Sequence, residues 1–449
     1  MQNTKTVSQY LDNDYAEYGM YTLEERAIPS VIDGFKPTQR KIIYISDKVW
    51  RNGSEKPLKI FQLGGRIAAD AHYHHGDGSL NGAIVGMAQS FKNSLPLLEE
   101  IGQFGSLRSP EAGAPRYIST RLTKNFRLLY KDFELLANQV EEGNVIEPKF
   151  FLPIIPAVLL NGSSGIAVGF ATNILNRNPI DLIDACLRVI DGKKVGKLLP
   201  WWRDYSGDVE HTNGNQYSMK GVYEQVNTTT VRITELPPSM TFQKYEAHLA
   251  SLLAKGTIYD YDDNSADGIN YTLKFSRAVL ADLNNKGKLD QLLKMTETET
   301  ENLTCLDERG KLIIFENVQD LVEYFVNFRL TFYDKRKAHL IAQLTDDLIL
   351  LNNRARFIKF IIEGKLKVNN RPKADIVVDL ENLKFNKISD SYNYLLSMQI
   401  HSLTKETYDN LLNDVDETSS ILEAVKRKEP VDMYKDDLAE LKKTLKSQK

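Results

Sequence analysis

From Asn317 to Glu363 neither glycine nor proline interrupts the chain. Apolar residues recur there as Leu321, Phe325, Phe328 and Phe332, then Ile341, Leu344, Leu348 and Leu351, with charges between them. That is the period of an amphipathic helix. At 1.5 Å per residue the helix runs on the order of 65 Å, too long to lie inside one compact core. It is expected to project as an arm, along which a second helical stretch from about Lys405, nicked at Pro430, can return. The segment between them, with Tyr392, Tyr394, Leu395 and Met398, is expected to form a small globule at the tip. Taken alone, this is a helical hairpin of unassigned purpose.

The remainder is ordinary globular material. A chain of 449 residues, 42% hydrophobic and 26% charged, is expected to divide into about two to four domains. No apolar run approaches the roughly 20 residues of a membrane span, and the N-terminus does not read as a signal peptide, so a cytoplasmic protein without membrane contact is expected. The two cysteines, Cys186 and Cys305, lie far apart, which suggests neither a disulfide framework nor a metal site. A net charge of -3 excludes a uniformly basic nucleic-acid binder, so any such contact must be local. Between Phe35 and Arg66, Lys36, Arg40, Lys41, Lys48, Arg51, Lys56, Lys59 and Arg66 face only Asp47 and Glu55, either as a binding patch or as a solvated helix face. Within it, Asp33-Gly34 signals a turn, and Pro37 suits the first turn of a helix.

Three stretches carry chemistry. Gly102 to Arg121 places Arg116-Tyr117 behind a glycine- and proline-rich run, with a second arginine at Arg121. A phenol with a reference pKa of about 10 is ionised about once in a thousand at pH 7, a shortfall of roughly 4 kcal/mol. Neighbouring cations lower that cost and hold a phosphate under attack. The plain alternative is a surface loop with a tyrosine stacked on an arginine. In the second stretch, His72, His74 and His75 precede a helix expected over Ser79 to Phe91. With no Cys or Glu at ligand spacing, a hydrogen bond to phosphate or to the reacting oxygen is favoured over metal. Third, apolar Phe151 to Leu160 leads into a turn bracketed by Gly162, Gly165 and Gly169, with Ile166 at its tip. Thr230 to Leu236 alternates as a half-exposed strand that stops at Pro237-Pro238. Asp260, Asp262 and Asn264 imitate a calcium loop, but Ser265 and Tyr271 stand where glycine and glutamate are needed.

RAIPSVIDGFKPTQRKIIY, YHHGDGSL, IGQFGSLRSPEAGAPRYIST and NGSSGIAVG, in that order, resemble the breakage-reunion motifs of type IIA DNA topoisomerases. YHHGD and APRYI are nearer the eukaryotic enzymes and NGSSGIAVG nearer gyrase, a mixture most similar to the multi-subunit enzymes of T-even-type bacteriophages. The resemblance implies a helix-rich, multidomain α+β chain. A winged-helix domain of the catabolite-activator type would span 1–155, an α/β tower domain 156–315, and a coiled coil with a C-gate dimer contact 316–449. It implies that Tyr117 is the nucleophile forming a 5'-phosphotyrosyl bond, with Arg116, His75 and Arg26 beside it. Lys36 would contact the DNA backbone, helped by Arg40, Lys41, Arg66 and His74, and Ile166 would be the wedge that bends the duplex.

The resemblance also implies a homodimer on double-stranded DNA. The resemblance further implies a need for Mg2+ and ATP, held in such enzymes by toprim and ATPase domains; with no phosphate-binding glycine loop and no acidic metal cluster in this sequence, both are expected on a large partner subunit that carries those domains. The expected reaction is ATP-driven relaxation and decatenation without net supercoiling. The alternative is a non-enzymatic winged-helix DNA-binding protein with a dimerising coiled coil.

Overall fold

The computed structural model describes residues 6–51, 56–266, 268–399 and 403–447; Glu55 of the expected cationic patch lies outside them. The chain forms two compact units, Met1–Arg329 with Asp437–Lys449, and Leu330–Asp436.

In the first unit three helices build the layer that carries the motifs. Helix α1, Pro37–Trp50, starts with proline in its first turn, and the Gln39 side chain accepts from the Lys36 amide at 3.0 Å. Proline costs nothing there because the first amides of a helix lack intrahelical partners. Helix α2, Ile60–Asp70, buries Ile60, Leu63 and Ile67, and helix α3, Asp77–Ala88, buries Leu80, Ile84, Met87 and Ala88. These are the spacings of one helical face. Helix α3 begins and ends earlier than the Ser79 to Phe91 expected. Asp77 enters the first turn, where a carboxylate suits the positive end of the helix, and Gln89 turns out of helical geometry to donate to the Phe104 carbonyl at 2.7 Å.

The turn before α1 does appear at Asp33-Gly34. Gly34 has φ +74, and a Cβ there would meet the Val158 amide nitrogen at 2.6 Å, so both conformation and space require glycine. Behind it, Phe35 stacks on Tyr130 with ring centroids 5.3 Å apart, and Phe151 packs edge-on to both. The buried Tyr130 hydroxyl donates to the Asp33 carbonyl at 3.0 Å, so the aromatic core locks the turn that precedes Lys36.

Further along, β1, Ser163–Ile166, and β2, Ala171–Ile174, form an antiparallel hairpin. Strands β3, Val222–Gln225, β4, Thr230–Glu235, β5, Asp260–Asp263, and β6, Tyr271–Lys274, form an antiparallel sheet in the order β3-β4-β6-β5. On β4, Val231 and Ile233 are fully buried while Arg232 and Thr234 are exposed, which is the alternation expected of that segment. Asp260 and Asp262 of β5 pair with Lys274 at 3.0 and 3.1 Å across the sheet, an arrangement of strand-face ion pairs rather than a calcium loop.

Helix α4, Val318–Ile362, is the long helix read from the sequence, and 45 residues correspond to about 68 Å. In the second unit it is followed by a small core in which Phe357, Leu366, Leu380, Phe385, Tyr392 and Leu395 are buried. Helices α5, Lys405–Arg427, and α6, Pro430–Ser447, are the returning stretch, separated at Pro430. Tyr434 of α6 stacks on Tyr333 of α4, centroids 4.6 Å apart.

Candidate active site

Tyr117 lies on a loop held to the start of α2. The Phe61 and Ile60 amides donate to the Pro115 and Ile118 carbonyls at 3.3 and 3.2 Å, so amides at the helix N-terminus find their acceptors in the loop. A short antiparallel ladder pairs Leu58 with Thr120 and Lys59 with Ser119. The Tyr117 amide closes a turn onto the Ala114 carbonyl at 2.9 Å, and Lys59 Nζ donates to the Tyr117 carbonyl at 2.8 Å. Ile118 is buried, so the next side chain back, Tyr117, points out and is 71% exposed. The Arg116 guanidinium sits 5.9 Å from its ring centroid. Arg121 is committed elsewhere: it is ion-paired with Glu99, which corrects the expectation of a second arginine serving the phenol.

His74 and His75 are exposed at the entrance to α3. His75 Nε2 is 3.2 Å from the Tyr21 hydroxyl, and the Tyr73 ring packs against the imidazole at 5.2 Å and 75°. Tyr73 is buried, and burial pushes its phenol above the usual range, opposed by a hydrogen bond with Thr38 and by the Arg26 charge. The Arg26 charge thus acts on the tyrosine whose ring packs against His75. Tyr21, Tyr73, His74 and His75 line a cleft of about 660 Å³. Among the described residues no hydrogen bond, ion pair or ring contact joins this group directly to Arg116 and Tyr117.

The expected DNA-contacting cations divide by partner. Lys36 Nζ donates to the Ser164 carbonyl at 2.6 Å, and burial lowers its pKa. It therefore pins the β1–β2 hairpin. A Cβ on Gly165 would lie 2.2 Å from the Ala27 carbonyl oxygen, so only glycine lets the hairpin seat there. Ile166 pairs with Ala171, the last pair of the ladder before the turn, and its side chain is 89% exposed. Arg66 on α2 is exposed, with no ion pair among the described residues.

Two of the expected cations already have partners within the chain. Arg40 is buried, with Nε and Nη2 on the Asp33 carboxylate at 2.7 and 3.1 Å. Lys41 donates to the Ala71 carbonyl at 2.7 Å and pairs with Glu147 at 3.1 Å. Both charges are paired inside the protein, so a backbone phosphate would have to compete with these partners for either. Tyr21 and Lys59 are the residues that reading the motifs passed over as site residues. Lys59 stood in the cationic patch, but only its pairing across to Ser119 reveals its link to Tyr117.

The sequence pattern of the family described as the A subunit of DNA gyrase/topoisomerase IV matches residues 26–439. In fold, the chain is similar to the DNA-binding, cleavage and re-ligation domain of Plasmodium falciparum topoisomerase II, with a TM-score of 0.89 and 32% identity over 98% of this chain and 64% of that one. The chain belongs to this DNA gyrase/topoisomerase IV family. Within it, the chain is similar over nearly its whole length to the DNA topoisomerase medium subunit of Enterobacteria phage T4, 34% identical over 98% of this chain and 99% of that protein. It is 33% identical to the mitochondrial DNA topoisomerase 2 of Dictyostelium discoideum over 98% of this chain and 35% of the relative. The chain thus spans about a third of the length of the eukaryotic topoisomerases it matches.

Proposed function

We propose that this chain is the DNA-cleaving and religating subunit of an ATP-dependent type II DNA topoisomerase. The Tyr117 hydroxyl oxygen attacks a backbone phosphorus, the new bond to phosphorus replaces the bond to the 3' oxygen, and that oxygen leaves with a proton. The 5' end stays on the tyrosine, and attack by the 3' hydroxyl reverses the step. Resealing needs no outside energy because one phosphodiester has been exchanged for another. Arg116 and His75 act as donors to the phosphoryl oxygens as charge develops. Arg26 adds positive potential, Lys36 seats the hairpin, and Ile166 provides an apolar wedge that unstacks a base step without needing a hydrogen-bond partner. Arg66 and His74 contact the backbone, which makes binding salt-sensitive.

The observation that carries this reading is the outward phenol of Tyr117, held on a loop fastened to a helix N-terminus with Arg116 and Lys59 beside it. A tyrosine serving only packing would be covered. Similarity to a phage topoisomerase protein supports this reading over a non-enzymatic DNA-binding protein. Among the described residues no group of three His, Cys, Asp or Glu side chains could hold a metal, so this chain offers no all-protein cage for the Mg2+ that the reaction is expected to use. Mg2+ and ATP are accordingly assigned to a large partner subunit, in keeping with the description of the phage relative as a medium subunit. A homodimer, joined at the winged-helix layer and at the end of the helical arm, supplies one tyrosine per DNA strand. The proposed location is the cytoplasm of a bacterial host; no described helix is long and apolar enough to cross a membrane.

The test is a covalent adduct. Reconstituted with its partner, Mg2+ and DNA, the wild-type chain yields denaturation-resistant protein-DNA adducts that map to Tyr117, and Tyr117→Phe yields none while still binding DNA. Adducts that persist in Tyr117→Phe would refute the assignment, and a complex forming no adduct at all would leave only a DNA-binding protein.

A further inference from the structure

We propose that Tyr21 is a positioning residue for His75, its hydroxyl holding Nε2 so that Nδ1 is the nitrogen offered to the DNA phosphate. The proposal rests on the reading of His75 as an active-site group. Neither recognisable motif contains Tyr21: one opens at Arg26 and the other runs from Tyr73. The geometry nevertheless brings Tyr21 to the histidine across 54 positions of sequence, with the hydroxyl 3.2 Å from Nε2.

Two tyrosines act on the imidazole in different ways. Tyr73 packs against it edge to face at 5.2 Å and 75°, which fixes the plane of the ring. That contact does not choose between the two orientations related by a half-turn of the ring, which exchange a nitrogen for a carbon on each side. Only a polar partner discriminates, and the Tyr21 hydroxyl is that partner. When the phenol donates to Nε2, the ring proton resides on Nδ1, leaving an N–H to donate to a phosphoryl oxygen. Tyr21 can hold this position because its neighbours are anchored. Thr22 and Leu23 are buried, and Thr22 Oγ1 donates to the Gly19 carbonyl at 2.8 Å, while the Tyr21 side chain remains 44% exposed beside the cleft.

The experiment combines a spectroscopic and a kinetic readout on Tyr21→Phe, which removes one exposed hydroxyl and should leave melting unchanged. The full chain, labelled with 15N in its seven histidines, is examined by long-range proton-nitrogen correlation, with His75 assigned from a His75→Gln sample. The wild type should show His75 mainly as the Nδ1–H tautomer and Tyr21→Phe a mixture. In the reconstituted complex, adduct formation should slow by about three- to tenfold, the worth of one hydrogen bond, with DNA affinity unchanged. In a His75→Gln background, Tyr21→Phe should add nothing. An unchanged tautomer ratio in Tyr21→Phe overturns the proposal whatever happens to the rate, as does a rate loss that persists in His75→Gln. If His75→Gln cleaves like the wild type, the active-site reading of His75 has failed instead, and the tautomer measurement still reports on the contact itself.

Discussion

Replacing Arg40 by alanine separates folding from DNA binding at a position where the two readings give opposite results. The guanidinium is 8% exposed and makes two hydrogen bonds to Asp33, which is itself fully buried and also accepts from the Phe35 and Phe151 amides at 3.0 and 3.1 Å. Removing the cation leaves a buried carboxylate whose two amide donors offset only part of the lost pairing. Breaking such a pair costs about 3–5 kcal/mol. At about 2 °C per kcal/mol for a unit of this size, the melting temperature should fall by roughly 6–10 °C. Burial opposes the Arg40 charge, but Asp33 and the nearby Glu147 and Glu25 outweigh it and leave its pKa raised, so Arg40 stays charged through neutral pH. Melting should be followed by calorimetry and DNA affinity by titration over a range of salt, with Asp33→Asn/Arg40→Met as a control that removes both charges and should recover part of the loss. A phosphate contact would behave differently, lowering the slope of log affinity against log salt by about 0.9 with little change in melting. That second outcome for Arg40→Ala would refute the structural assignment.

Arg66→Ala is the counterpart: exposed and without an ion partner among the described residues, it should reduce the salt slope by about one contact and leave melting alone, read by the same titration. Ile166→Ala should change stability by less than about 0.5 kcal/mol because the side chain is 89% exposed, yet reduce DNA bending measured by energy transfer between labelled duplex ends. Gly165→Ala should lower both, since its Cβ would meet the Ala27 carbonyl at 2.2 Å; a melting temperature equal to wild type would contradict that close approach. A chelator should leave the melting of the isolated chain unchanged and abolish adducts only in the complex, and a chelator-dependent melting shift would place a metal on this chain.

Local pattern was enough for the elements. The long helix runs from Val318 to Ile362, within one residue at each end of the uninterrupted stretch, because 3.6-residue periodicity without a breaker leaves the backbone no other way to bury that face. Strand Thr230–Glu235, the Pro37 helix start and the break at Pro430 were legible for similar reasons: alternation, a fixed φ and a missing donor are properties of a few adjacent residues. Motif order likewise pointed to Tyr117 and His75 as the groups to look for.

Side-chain partnership was not legible, because it depends on which distant segments the packed core brings together. Lys41 is a charge in a basic run until Glu147 arrives from 106 residues away, and Lys59 becomes part of the tyrosine loop through a ladder to Ser119. Arg40 and Arg121 look like available cations until Asp33 and Glu99 neutralise them. The sequence by itself thus determined the helices, the strand and which chemical groups the motifs carry, since those follow from local stereochemistry and residue type. Only the tertiary structure decided which charges are paired within the chain and which tyrosine reaches the histidine, since an ion pair or a hydrogen bond exists only where folding brings both partners within about 3 Å.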